Sequence, residues 1–166
     1  MTSNYLSWNS CRLTALSRLV VIAACLVLPG ACSSDKSAEA LFRETLAAME
    51  QAIEARDINE FMEYVSESYQ DAQGRSRKDI RRIAQLHVLR NRNLHIYRHV
   101  TQLAVIDEQY ANTVIFVALA GQPIESAESL ASMRAELMRF EVSFEFGEKW
   151  QAVSAQWKRA GINDFL

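Results

Sequence analysis

The hydrophobic pattern of this chain changes its period near residue 93, and that change limits the fold more than any other feature. Before it, apolar residues recur every three or four positions, as they do on one side of an α-helix. After it, apolar and polar residues alternate, most regularly from 138 to 146. Helices first and long antiparallel strands afterwards indicate an α+β domain, with the helices on one face of a sheet.

Three helices and four strands are predicted from this pattern. The second and third helices each begin with a capping box, at Asp57 and at Ser76, in which an acid follows three positions later. A tight turn at 107–108 joins the first two strands. The predicted elements are a helix at 38–56, a short helix that begins at 57, a helix at 77–92, and strands at 93–106, 109–120, 138–146 and 149–159.

The first 31 residues have the organisation of an export signal. Residues 1–18 are polar with two positive charges, and residues 19–28 are all apolar. Ten helical residues span about 15 Å, half of a bilayer core, which disfavours a permanent transmembrane anchor. The following Pro-Gly-Ala-Cys32 resembles the lipobox of bacterial lipoproteins, in which the cysteine is lipidated and the chain is cut before it. Cys25 follows Ile-Ala-Ala, which fits the same pattern but leaves an apolar run of only 19–24. An unlipidated cleaved signal and a short uncleaved anchor are further alternatives.

This cleavage site predicts a lipoprotein signal peptide at 1–31, a lipidated tether at 32–37 and a single domain at 38–166. All three cysteines lie at or before position 32, so the domain has no thiol for a disulfide or a metal site. Lipoprotein sorting, as the resemblance implies it, directs a chain with Ser33 to the outer membrane of the cell envelope, facing the periplasm.

The charge of the predicted mature chain is mildly acidic. The leader removes two of the 18 basic residues and none of the 20 acidic ones, which leaves a net charge of −4. Such a charge gives no general attraction to nucleic acid. Residues 35–71 carry a net −7 and residues 75–99 a net +7. We expect the two segments to neutralise each other, and contact of the basic segment with an anionic lipid surface is the alternative.

The order of elements resembles the nuclear transport factor 2-like superfamily, also called cystatin-like or SnoaL-like. The resemblance covers about 38–160 and is carried by ARDINEF at 55–61, YQDAQG at 69–74, the third helix and WQAVSAQW at 150–157. It implies three N-terminal helices packed on a curved antiparallel sheet of about four long strands, a cone with a pocket. The superfamily includes isomerases, cyclases, dehydratases and ligand carriers, so it implies no single function.

Five side chains are predicted to line the pocket: Tyr69, His87, Arg98, Gln102 and Trp157. His87 lies on the apolar stripe of the third helix, either as a buried neutral imidazole or as a pocket group. Strict alternation from 94 to 106 places Arg98 and Gln102 among apolar residues, as in a ligand pocket. An arginine there needs an internal acid or an anionic ligand as its partner.

Other site chemistry finds little support in the sequence. His95 and His99 share a strand face with Tyr97, but they lie about 13 Å apart, too far to bind one metal ion. A polar or dimer-forming surface is the expected role of that face. Isomerases of the steroid type in this superfamily need a carboxylate base inside the cone, whereas the inner side of the third strand is apolar from 138 to 146. We assign no catalytic residue, metal or cofactor.

These observations predict a membrane-anchored envelope lipoprotein whose domain binds a small apolar or anionic molecule, or a protein partner, without catalysis. An atypical isomerase- or lyase-like enzyme that uses His87 and Arg98 is one alternative. A structural homodimer is the other.

Overall fold

The computed structural model describes residues 36–166. Its helices are α1 (Ala38–Glu54), α2 (Ile58–Glu63) and α3 (Arg77–Arg90), and its strands are β1 (His95–Ile106), β2 (Tyr110–Ala120), β3 (Ala135–Phe146) and β4 (Trp150–Arg159). The strands form one antiparallel sheet in the order β1-β2-β3-β4. Three helices followed by a four-stranded antiparallel sheet confirm the predicted fold class. Two 3-10 helices, Glu128–Ser132 and Ile162–Asp164, complete the chain.

Residues Lys36–Leu166 form a compact unit with its own hydrophobic cores, as an independently folding domain requires. The predicted signal peptide at 1–31, Cys32 and most of the predicted tether at 32–37 lie outside the described residues. Within 36–166, no helix combines the length and the apolar character needed to cross a membrane.

The helix starts have the predicted chemistry. The Asp57 carboxylate accepts a hydrogen bond of 2.9 Å from the Glu60 N–H, at the start of α2. The Ser76 N–H and hydroxyl both donate to the Asp79 carboxylate, at 2.9 and 2.7 Å, at the start of α3. These contacts satisfy N–H groups that the first helical turn leaves without a partner, and each such cap contributes about 1 kcal/mol.

A β-bulge in β1 moves the side chains after it to the face of the sheet opposite to the one that strict alternation predicts. The pairing with β2 shifts between Val100 and Gln102, so Thr101 is an extra residue without a cross-strand partner. Beyond it, Leu103 packs against the core and Gln102 is exposed. The prediction that Gln102 lines the pocket is therefore wrong, because one inserted residue moves every later side chain to the other face.

A second bulge lies in β4. Ser143 pairs with Ser154, whereas the next residue, Phe144, pairs with Ala152, which leaves Val153 as the extra residue. Ala152 and Phe144 are both buried in the main core. Strict alternation puts Val153 on the same face as Ala155 and Trp157, whereas the bulge gives that place to Ala152.

The main core lies on the inner face of the sheet, which the helices cover. Phe42 of α1 contacts Phe144 and Trp150 edge-on, with ring centroids 4.9 and 5.5 Å apart. All three rings are fully or nearly fully buried. Replacing such a side chain by alanine costs about 3–5 kcal/mol, so this cluster fixes α1 on the sheet.

A separate cluster covers part of the outer face. Phe116 of β2 packs against Phe165 near the C-terminus, with ring centroids 5.7 Å apart, and Leu130 of the first 3-10 helix joins them. Tyr97, the middle residue of the predicted dimer face, packs against this cluster, whereas His99 is exposed. The chain thus covers part of this face with its own loop and C-terminal segment.

Candidate ligand-binding cavity

A cavity of about 400 Å³ lies between the three helices and the inner face of the sheet. That volume is within the range of sites for small molecules. Its wall is mostly apolar, with Leu46, Ile115 and Phe144 of the main core on one side and Ile80, Ala84 and Val88 of α3 on another. The polar wall residues are Glu50, Tyr69, His87, Arg98, Glu136 and Trp157.

Cross-strand pairing explains why charged groups meet apolar ones on this wall. Directly paired residues of an antiparallel sheet project to the same face. One row of paired residues on the inner face consists of Arg98, Val117, Met138 and Arg159. The neighbouring inner row, which lies nearer the end of the sheet, consists of Ile96, Leu119 and Glu136. The charges therefore lie in the two rows nearest one end of the sheet.

Arg98 has an internal acid as its partner. Its Nε donates to the Glu50 carboxylate of α1 at 3.0 Å, and both side chains are about three-quarters buried. Burial raises the pKa of Glu50 above its ordinary value, with a smaller contribution from the charge of Glu54, while the charge of Arg98 acts in the opposite direction. Glu50 was missed in the sequence analysis, although it follows Leu46 by four positions and so borders the apolar stripe of α1.

His87 lies beside Glu136, with 3.8 Å between Nε2 and the nearer carboxylate oxygen. This separation exceeds hydrogen-bond length, and the two groups attract each other as ions only when His87 is protonated. Glu136 corrects the prediction of a wholly apolar inner side for β3. The strand begins at Ala135, three residues before the regular alternation, and this extension places a carboxylate on the inner face.

Tyr69 lines the cavity with a side chain whose hydroxyl is buried. The residue is only 4% exposed, and its hydroxyl has no hydrogen-bond partner among residues 36–166. Burial, helped by the negative charge of Asp71, raises the pKa of Tyr69 to about 12. The side chain is thus a neutral donor throughout the physiological range.

Trp157 is held in place by a stack of side chains. The Arg75 guanidinium lies 3.6 Å from the centre of the indole ring, and the Phe140 ring lies 6.0 Å away on the same inner face. Arg75 is itself bonded to the Asp71 carboxylate at 2.6 Å. Burial acts to raise the pKa of Asp71, but hydrogen bonds from the Arg75 backbone and side chain and from the Gln73 N–H outweigh it and lower the pKa.

The structure therefore brings four of the five predicted pocket residues to one cavity: Tyr69, His87, Arg98 and Trp157. Gln102 is exposed on the other face of β1, and its backbone carbonyl accepts a hydrogen bond from the Thr113 hydroxyl. No group of three or more His, Cys, Asp or Glu side chains within the described chain is placed to hold a metal ion.

A second depression, which we call the outer groove, adjoins the cavity. It has a volume of about 670 Å³ and shares Leu119, His87 and Glu136 with the cavity wall. Two arginines, Arg134 and Arg159, also line it. The groove and the cavity therefore adjoin at these three residues.

The basic segment is only partly neutralised. Of its eight basic residues, three pair with acids of the preceding acidic segment: Arg75 with Asp71, Arg77 with Glu67, and Arg98 with Glu50. The other five have no carboxylate within 4.0 Å in the described part of the chain. Next to them α3 exposes Ile83, Leu86 and Leu89, the last being 74% exposed.

No protein-family model matches the chain, and a comparison with curated proteins finds no match. Solved structures do resemble it. A protein of Novosphingobium aromaticivorans described as a candidate scytalone dehydratase has a TM-score of 0.58 over 89% of each chain, at 9% identity. A cystatin-like domain of unknown function from Nostoc punctiforme has a TM-score of 0.55 over 74% of this chain and 77% of its own, at 20% identity. Bd1075 of Bdellovibrio bacteriovorus has a TM-score of 0.53 at 12% identity; the match covers 72% of this chain and only 40% of that protein.

These likenesses show the fold, which is the nuclear transport factor 2-like, cystatin-like architecture that the sequence resemblance implies. Sequence identities of 9–20% carry no information about a shared reaction or ligand.

Proposed function

We propose that this protein is an exported, membrane-tethered binding module that holds a small, mainly apolar molecule in the inner cavity. The observation that carries the proposal is the cavity itself, about 400 Å³ of mostly apolar wall between the helices and the sheet. Removing apolar surface from water contributes about 25 cal/mol per Å². A ligand that replaces water there is stabilised by the same apolar surface.

The polar groups of the wall support binding better than catalysis. Glu50, the more enclosed of the two acids on the cavity wall, is paired with Arg98, so it is not a free base. His87 and Glu136 lie beyond hydrogen-bond length from each other. The pKa of the Tyr69 hydroxyl is raised to about 12, so this group stays neutral in the physiological range and does not act as a base.

An acid–base enzyme is the second candidate. The proximity of His87 to a carboxylate at an open cavity favours it. Two of the similar structures, including the Novosphingobium aromaticivorans protein, are described as candidate dehydratases. Replacing His87 by Gln separates the two functions, because binding of an apolar molecule should survive this change and proton transfer should not.

The binding proposal is tested with N-phenyl-1-naphthylamine, a neutral apolar dye whose fluorescence rises in apolar surroundings. The protein is the mature chain 32–166 with Cys32→Ser, in buffer without detergent. Ala84 lines the cavity on α3, and its neighbour Gln85 is exposed. We expect Ala84→Phe to fill the cavity and raise the dye's Kd at least tenfold, and Gln85→Phe to leave it unchanged. Equal dye binding by both variants and the parent chain would place the dye elsewhere and contradict the proposal.

A further inference from the structure

The outer groove is a charged depression beside the cavity. It shares Leu119, His87 and Glu136 with the cavity wall, so the two spaces meet at these residues. The inner space is apolar and the outer one carries charged side chains. This order, apolar inside and charged outside, matches an elongated molecule with two chemically different ends.

The two groove arginines are available to an anion. Neither Arg134 nor Arg159 has a carboxylate within 4.0 Å among residues 36–166, whereas Arg98 inside the cavity is already paired with Glu50. A guanidinium binds a carboxylate or phosphate through two parallel hydrogen bonds. The groove therefore has two vacant cationic binders, and the cavity has none.

Strand pairing places Arg159 at the boundary between the two spaces. Its cross-strand partner is Met138, which lines the cavity, and paired residues project to the same face. Arg134 directly precedes β3, next to the strand end that carries Glu136. Glu136 is the acid that lines the groove, and two arginines against one carboxylate leave the groove with a net positive charge.

We propose that the natural ligand is a single-headed anionic amphiphile, whose apolar chain occupies the inner cavity and whose charged oxygens bind Arg134 and Arg159 in the outer groove. This inference rests on the proposed function and adds the ligand class to it. Free fatty carboxylates and alkyl phosphates share the required chemistry, an anionic oxygen group on an apolar chain.

The proposal is tested by displacement of N-phenyl-1-naphthylamine from the same detergent-free chain. Decanoate and decyl phosphate carry the charge, and 1-decanol is the neutral counterpart of equal length. We expect the anions to bind at least tenfold more tightly than the alcohol, with affinity rising about fourfold for each methylene added between octanoate and decanoate. A preference between decanoate and decyl phosphate would identify the head group.

Charge variants locate the head group. Arg159→Gln and Arg134→Gln should each weaken decanoate binding fivefold or more and leave 1-decanol unaffected. Lys158→Gln is the matched control, because Lys158 is the exposed neighbour of Arg159 on the opposite face of β4 and makes no ion pair within the described residues. Thermal unfolding of each variant verifies that the domain remains folded, as expected for exposed positions.

The outcomes separate the two proposals. If decanoate and 1-decanol bind equally well, or if both arginine variants bind decanoate like the parent, the amphiphile inference is overturned and the apolar-binding function stands. If the dye itself does not bind in the cavity, the proposed function fails first.

Discussion

Glu50 shows how a single side chain couples the site to stability. Its pKa is raised in the folded protein, so the folded state holds this proton more tightly than the unfolded chain does. This difference in pKa makes the stability of the domain depend on pH in a definite direction. Between the ordinary pKa of 4.5 and the higher folded value, unfolding releases a proton, and the contribution of Glu50 to folding becomes less favourable as the pH rises.

We therefore expect the stability difference between the parent chain and Glu50→Gln to depend on pH. The unfolding free energy of the parent minus that of the variant should be larger at pH 4 than at pH 7, because glutamine does not titrate. This sign holds whatever the absolute size of the difference. Urea unfolding at the two pH values measures this difference. Glu145→Gln, at an exposed position of β3 without an ion pair among the described residues, serves as the control. A pH-independent difference for Glu50→Gln would contradict the assigned pKa direction.

At the scale of elements, periodicity predicted the three α-helices and four strands of the described domain, because each buries an apolar face. It failed at the two bulges, where Thr101 and Val153 resemble any other strand residue and only the cross-strand partner reveals the extra one. That failure explains why Gln102 was wrongly predicted inside. Glu50 and Glu136 were missed because a charged residue beside an apolar stripe is usually solvated, and only the assembled cavity shows that these two are not fully so.

The bulge in β1 makes a testable prediction about deletions. Without Thr101, Val100 and Leu103 still point into the core and Gln102 still points outward. The shortened strand then alternates regularly, and these side chains stay on the faces that they have now. We expect this deletion to be tolerated, with a loss of about 1 kcal/mol or less in unfolding free energy for the changed local twist.

Deletion of Ala104 is the matched control. It moves Val105 from the core to the outer face and should cost at least about 1.5–3 kcal/mol for the lost burial. Thermal or urea unfolding compares the two deletions. If both deletions destabilise the domain equally, the fold requires the bulge itself, and not only the correct face for each side chain of β1.

Unpaired basic charge and exposed apolar side chains are concentrated on one helix of the described domain, α3. The acidic α1 uses Glu39 and Glu44 in ion pairs with Arg43 and Lys36, so much of the basic charge on α3 remains without a carboxylate partner in the described domain. That helix also exposes Ile83, Leu86 and Leu89 beside the cavity. Positive charge interspersed with exposed apolar side chains fits a surface close to anionic lipid. A predicted tether at 32–37 can extend to about 20 Å at most, so a lipid on Cys32 would keep the domain near such a surface.

Attachment through Cys32 is the prediction on which that arrangement depends. In a diderm bacterial host that expresses the full-length chain, we expect the parent protein to sediment with membranes and to incorporate an alkyne-labelled fatty acid. Cys32→Ala should lose the label, because no other thiol is present in the predicted mature chain. Cys25→Ala is the control and should keep both the label and the membrane location, since that residue leaves with the signal peptide. If Cys25→Ala abolishes labelling and Cys32→Ala does not, cleavage occurs at the earlier motif. The tether is then seven residues longer, and the domain is held less closely to the lipid surface that could supply its ligand.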